Sequence, residues 1–599
     1  MLRSMISRKT GNNHFKTKIN NMFNEKQKTL LPKKTGVGVI TPLKTTNPFV
    51  KAGLKKGAET KSGNGALKYT TTGQPFVDEF GTCSRFKAPR DWKDVDASMK
   101  TLWTIDNHNC VKFAFYLRMI TRQVQFPDGT KTEETQRGQG LKHEGIYRVM
   151  WLAINHPRVF WDNIHIYLSV AGWKDIIVML SYDLQYNGWN GRKLDWSKFG
   201  NLMLAGLENP KTTNLVKKYL PQIRSNTACR TLEAQADNMI AKWICSLLFG
   251  GKPEQNNAST YKKYRKLKSS GTAHQWQQLI SQGKLSGLNF DSIHGRALAL
   301  LVSGKFLKKN KLEDKYAKWI AAKPVAKFTG YVHELVEMIK PGIQQYQIDT
   351  INAQFNQLVA VAMAKMVSEG LRPISVIDTS GSMGSPMYIG SGKVGKLRSI
   401  QVAFSSAIFF NEMLPAGSPF KDVFLGFSSK TVMSQFKGTN FTERFGYVMS
   451  NNFAGGGTNF ESVFDFFADF RRNNPHVSED QIPNFVLVWS DGEFNRISSG
   501  LKTNVERGRQ ILRKAGYSQS FCDSFGLGFI ELPNTFYSSR PTPKFETYGD
   551  VKNVFYFSGH DLSPLAFLFG VGKSATLPTT ASELFEAAMD QEVLNLIEL

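Results

Sequence analysis

Downstream of Gly370 the chain alternates between two kinds of segment, and that alternation limits the possible folds more than any other feature. Short apolar runs, PISVID (373–378), DVFLGFS (422–428), NFVLVWS (484–490), SFGLGFI (524–530) and NVFYFS (553–558), are interleaved with KLRSIQVAFSSAIFFNEML (396–414), TNFESVFDFFADFRRN (458–473) and TNVERGRQILRKAG (503–516). Apolar runs of that length without polar alternation are the mark of strands buried on both faces. Such strands, alternating with helices, assemble into a mostly parallel, doubly wound α/β sheet. Ligands of that architecture bind at the carboxyl ends of the strands.

Upstream, from about 95 to 370, the period is helical. In HEGIYRVMWLAINHP, residues Ile146, Val149, Met150 and Ala153 fall at i, i+3, i+4 and i+7, and Pro157 closes the segment. TLEAQADNMIAKWICSLLF (231–249) opens on a Thr cap and sets Leu232, Met239, Ile240, Trp243 and Leu247 toward one face. TGYVHELVEMIKPG (329–342) and IDTINAQFNQLVAVAMAKMVSEG (348–370) continue the pattern, and AKWI occurs at both 241–244 and 317–320. Strand signals are sparse here, so stacked helical repeats suit the region.

Charge separates the same regions. The chain of 599 residues carries +27 overall: +13 within 1–73, +16 within 74–370 and −2 within 371–599. A polyanionic partner would therefore meet the first two regions. Residues 1–69, rich in Lys, Asn, Thr and Gly, are expected to form a disordered basic tail. The five cysteines, Cys83, Cys110, Cys229, Cys245 and Cys522, are widely spaced and form no C-x-x-C pair, which disfavours zinc ribbons and disulfide scaffolds. No apolar run approaches a membrane span, and MLRSMISRKTGNN lacks the apolar core of a secretory signal, so an intracellular, cytoplasmic protein is expected.

The chemistry gathers at the expected strand ends. Asp378 closes the first strand, and Ser380 and Ser382 follow at +2 and +4 around Gly381. Thr458 follows three glycines at the start of a helix, and Asp491 follows the strand 484–490. A carboxylate with two nearby hydroxyls is a hard-oxygen set suited to Mg²⁺ or Mn²⁺. Together the three segments resemble the metal-ion-dependent adhesion site of von Willebrand factor A (vWA) domains, whose D-x-S-x-S, Thr and Asp positions are all matched. The resemblance implies that Asp378, Ser380 and Ser382 form the first loop, that Thr458 coordinates directly, and that Asp491 acts through water.

A vWA domain after a basic helical region resembles the Ro autoantigen, or TROVE-module, family. TTTGQPFVDEF is similar to that family's T-G-N-P-x-V-D-x-F element, GLKHEGIYRVMWLAINHP to its helical continuation, and FYFSGHDLSPLAFLFG (555–570) to its closing strand and helix. The resemblance covers residues 70–599 and implies a HEAT-like helical ring (70–370), a Rossmann-like vWA domain (371–575) and a C-terminal helix (576–599) packing on the preceding domains. It further implies a ribonucleoprotein component whose basic ring binds RNA.

For that RNA, structured or single-stranded, the candidate contacts are Lys262, Lys263, Arg265, Lys266 and Lys268 of YKKYRKLK, where Tyr261 and Tyr264 would stack on bases. Lys308 and Lys309 form a second cluster, and Arg118, Arg122, Lys142 and Arg148 add charge near the start of the helical region. No P-loop, G-x-G-x-x-G, H-E-x-x-H or G-x-S-x-G occurs, and His143, His156, His165 and His294 suit core or capping roles, so no catalysis is expected. The alternative is a non-enzymatic structural or protein-interaction module, such as a virus or phage particle component, that docks a partner's acidic group on the metal site.

Overall fold

The computed structural model describes residues 59–599 except 63, 84–90, 127–128, 254–256, 271–275, 294, 324–325, 327, 329, 364–370, 390–392, 452–454, 496–502, 533, 537–544, 548 and 559–577 apart from Leu568. The expected tail, up to residue 58, and His294 lie outside the described residues. The chain divides into two compact units that interleave in sequence. One comprises Arg90–Leu288 and Gln591–Leu599; the other comprises the segment ending at Pro89 and Asn289–Asp590.

The second unit is built on a six-stranded sheet. Its strands are β1 (Pro373–Asp378), β2 (Val423–Phe427), β3 (Thr431–Gln435), β4 (Phe485–Ser490), β5 (Gly526–Glu531) and β6 (Val554–Ser558). They lie in the order β6-β5-β4-β1-β2-β3, all neighbours parallel except the edge hairpin β2–β3. The chain therefore starts at the centre, builds to one side, and crosses back over β1 to build the other. The switch point of the sheet falls between β1 and β4, where an α/β sheet opens a crevice at its carboxyl edge.

Every residue of β1, β4 and β5 is buried, as the uninterrupted apolar runs require. Ile374, Val376, Leu425, Phe427, Val486, Val488, Leu527 and Phe529 share one core. It is closed by Phe464 and Phe467 of helix α2 (Glu461–Asn473), by Leu512 of α3 (Asn504–Lys514), and by Phe521. Residues of the opposite parity face α1 (Ser399–Glu412), where Phe404 meets Phe424 at 5.6 Å between ring centres. Full burial of one such side chain contributes about 1.5–3 kcal/mol.

The boundaries differ from those at 70, 370 and 575. Residues 59–61 and 67–69 form an antiparallel pair, and Tyr69 exchanges backbone hydrogen bonds of 2.9 and 2.8 Å with Phe545. Pro75–Thr82 packs against β6, and Ala581–Met589 rests on both, with Phe76 and Phe585 5.1 Å apart. The helix Gln345–Met363 also belongs to this unit, stacking Phe355 on Phe441 at 4.3 Å. Among the described residues of 329–342, only Val332–Val336 is helical.

The other unit is largely helical, including Trp92–Ile105, Asn107–Arg118, His143–Asn155, Trp173–Asn187, Trp196–Glu208, Leu232–Phe249 and Ala258–Ser270. Asp91, Asp106, Asp195 and Thr231 cap their helices by accepting a backbone N–H three residues on. Leu232 and Leu247 lie on the exposed side of Leu232–Phe249, while Ile240, Ala241, Ile244 and Cys245 are buried. The hairpin Ile120–Gln125/Lys131–Gln139 was not expected, because KTEETQRGQ carries no apolar alternation. Gln591–Leu599 closes this unit, with Gln591 bonded to both the N–H and the carbonyl of Arg137 at 2.6 and 2.9 Å. Among the described residues no single helix is long and apolar enough to cross a membrane.

Candidate metal centre and basic surfaces

Asp378 is the last residue of β1, and parallel pairing sets it beside Ser490, the last residue of β4. The Ser490 hydroxyl donates to Asp378 Oδ2 at 2.6 Å, and the Ser380 N–H donates to Oδ1 at 2.9 Å. The loop then turns through Gly381–Gly384, bringing the Ser380 and Ser382 hydroxyl oxygens within 3.1 Å of each other.

Asp491 follows directly on β4. Gly492 after it and Gly457 before Thr458 hold φ of 79° and 87°, a left-handed conformation that favours glycine. Asp491 Oδ1 accepts from the Glu493 N–H at 3.3 Å, its Oδ2 accepts from Asn534 Nδ2 at 3.0 Å, and Ser382 hydrogen-bonds to the same carboxylate. The Thr458 loop is tied in at two points. Gly455 bridges Ser380 in parallel register, and the Thr458 carbonyl accepts from the Asn495 N–H at 2.8 Å.

Asp378, Ser380, Ser382, Thr458 and Asp491 are all buried. Burial raises the Asp378 carboxyl to about 7, with the negative charge of Asp491 adding to the effect, and burial raises Asp491 as well. Two buried carboxyls that oppose each other's ionisation, beside paired hydroxyls, form a site short of positive charge. That donor set fits a hard divalent cation. Solvent reaches the loops past exposed Gly381, Gly384 and Gly456, at each of which an added methyl would meet open space.

Ser490 and Asn534 are members that motif reading missed. Ser490 hides inside a strand, and Asn534 belongs to no spaced pattern; its only signal is its place just past the carboxyl end of β5. Lys68 was also missed. It is buried, pairs with Glu546 at 3.0 Å, and lies 4.6 Å from the centre of the Phe494 ring.

The basic candidates divide sharply by burial. Lys262, Lys263, Arg265 and Lys266 are exposed on Ala258–Ser270. Lys268 is partly buried and donates to the Lys218 carbonyl at 3.2 Å. Tyr264 cannot stack on a base, because it is buried with its hydroxyl on the Pro221 carbonyl at 2.9 Å. Lys308, Lys309 and Lys142 are exposed.

Arg118 and Arg148 are not surface cations. Arg118 is buried and donates to Asp175 at 2.5 and 2.9 Å, while Arg148 is fully buried against Glu144 at 3.2 Å. Arg122 is exposed, but its guanidinium donates to the Ser169 carbonyl at 2.9 Å. His143 meets the Tyr182 hydroxyl at 2.5 Å, and His156 stacks on Trp103 at 3.5 Å, both packing roles.

Residues 372–522 match the model of a domain of unknown function, DUF7788. The match spans all five metal-site candidates and stops short of Asn534. No curated protein matches the chain.

Proposed function

We propose that the chain is a non-catalytic binding protein whose α/β unit is a vWA-type module that uses a divalent cation to take an acidic group from a partner. The observation carrying this reading is the meeting of Asp378, Ser380, Ser382 and Asp491 at the sheet's switch point. In this reading Asp378, Ser380 and Ser382 hold Mg²⁺ or Mn²⁺ directly, with Thr458 and Asp491 completing the set. The bound ion supplies a Lewis-acid centre for one oxygen of an incoming carboxylate. Ser490 holds Asp378 in place, and Asn534 holds Asp491.

Mn²⁺ binding to the full chain, followed by electron paramagnetic resonance, tests this. Wild type should bind one ion per chain at this site, and Asp378→Ala should abolish that binding while keeping the helical content. Equal Mn²⁺ binding by both proteins would overturn the reading.

A second function, RNA binding by the helical unit as a TROVE-like repeat ring, rests on the exposed face of Lys262, Lys263, Arg265 and Lys266. Counterion release makes the test quantitative: each lost phosphate contact lowers the log–log salt slope by about 0.7 for single strands. Reversing these four charges should weaken RNA binding and flatten its salt dependence. An unchanged slope removes this face from the RNA reading. Arg118 and Arg148, sequestered in ion pairs, are not part of the proposed surface.

A further inference from the structure

The hairpin Pro386–Ile389/Lys393–Arg398 begins directly after the Gly381–Gly384 turn, and its far end returns to that turn, with the Ser399 N–H donating to the Ser385 carbonyl at 3.2 Å. Its first strand meets the turn after β5: Met387 bridges Asn534, and the Thr535 N–H donates to the Pro386 carbonyl at 2.9 Å.

Asn534 couples this rim to the metal loops through one side chain. Its Nδ2 donates to Asp491 Oδ2 at 3.0 Å and to the Ser382 carbonyl at 3.2 Å. Its Oδ1 accepts the Phe536 N–H at 3.0 Å. Phe536 is thereby held two residues from the amide that ties the ligand loops together, yet it is 64% exposed. Across the adjoining hairpin Val394 is 59% exposed, and Lys396 and Arg398 are exposed as well.

We propose that this rim reads the sequence around the partner's metal-binding carboxylate, selecting an acidic segment that carries a large apolar side chain beside the acid. The inference rests on the reading of the site as a divalent-cation centre. Charge complementarity argues for the acidic partner: Lys396 and Arg398 add to the cation's attraction for carboxylates. Phe536 and Val394 supply apolar surface that a purely acidic ligand would leave in water. Covering one such side chain is worth about tenfold in affinity.

The test is a random-peptide display selection on the full chain in Mn²⁺, with the enriched peptides then titrated against variants. Enriched peptides should pair Asp or Glu with an adjacent aromatic or aliphatic residue and should be released by EDTA. Phe536→Ser should weaken them about tenfold while Mn²⁺ affinity stays unchanged, and Lys396→Glu with Arg398→Glu should weaken them further. Peptides without apolar preference, no enrichment, or no loss in Phe536→Ser would overturn the rim proposal with the cation site still standing. Failure of wild type to bind Mn²⁺ would overturn both.

Discussion

The buried Asp378 carboxyl, together with Asp491, makes the metal-free stability of the α/β unit depend on pH. Asp378 is raised to about 7, whereas a carboxyl in the unfolded chain titrates near 4. Between those values the native state keeps a proton that the unfolded chain has lost, so metal-free stability falls as pH rises through that window. Asp378→Asn cannot titrate. In EDTA its melting temperature should match wild type near pH 4 and exceed it increasingly toward pH 7.5; parallel curves would clear Asp378 of the effect. Excess Mn²⁺ should raise wild type and leave the variant where it was. Arg118 teaches the complementary lesson. Its charge was legible in the sequence, but its partner Asp175, 57 residues away, was not, and that partner converts a candidate phosphate contact into an internal ion pair. Removing one member of such a pair strands the other in the interior at about 3–5 kcal/mol. Arg118→Ala should therefore show a large loss in chemical denaturation, independent of any RNA.

At the scale of elements, legibility followed burial. β1, β4, β5 and β6 were readable to within two residues because strands covered on both faces are written as apolar runs. The edge strand β3 and the hairpins 120–139 and 386–398 were not readable. Each has polar or mixed residues, and its backbone pairing comes from a neighbour rather than from its own pattern. The same logic places the loops of Asp378 and Asp491 at strand ends, while Asn534, held by tertiary bonds alone, stayed hidden. The packing of α3 on α2 gives a sharp test. A methyl at Gly508 would fall 2.3 Å from the Phe464 ring. Gly508→Ala should cost about 1–3 kcal/mol by overpacking, despite the gain in helix propensity. At the start of α3, Thr503 and Glu506 form a reciprocal capping box, with N–H bonds of 3.3 and 3.1 Å. Thr503→Ala should cost about 1 kcal/mol, read as a shifted urea midpoint with unchanged slope.

At the scale of the whole molecule, each unit has its own core, so heating should resolve two transitions. Mn²⁺ should move the transition of the α/β unit, and Arg118→Ala should move the other. A single transition shifted equally by both would show the units to be thermodynamically one. The interleaving of the units carries a consequence for biosynthesis. Residues 59–82 are made before the helical unit, yet they pack on β6 and on the segment 545–558, which emerge hundreds of residues later. Gln591–Leu599, translated after Asn289–Asp590 of the α/β unit, belongs to the same unit as Arg90–Leu288. A ribosome partway along this message therefore carries two unfinished domains at once, each waiting for its final piece.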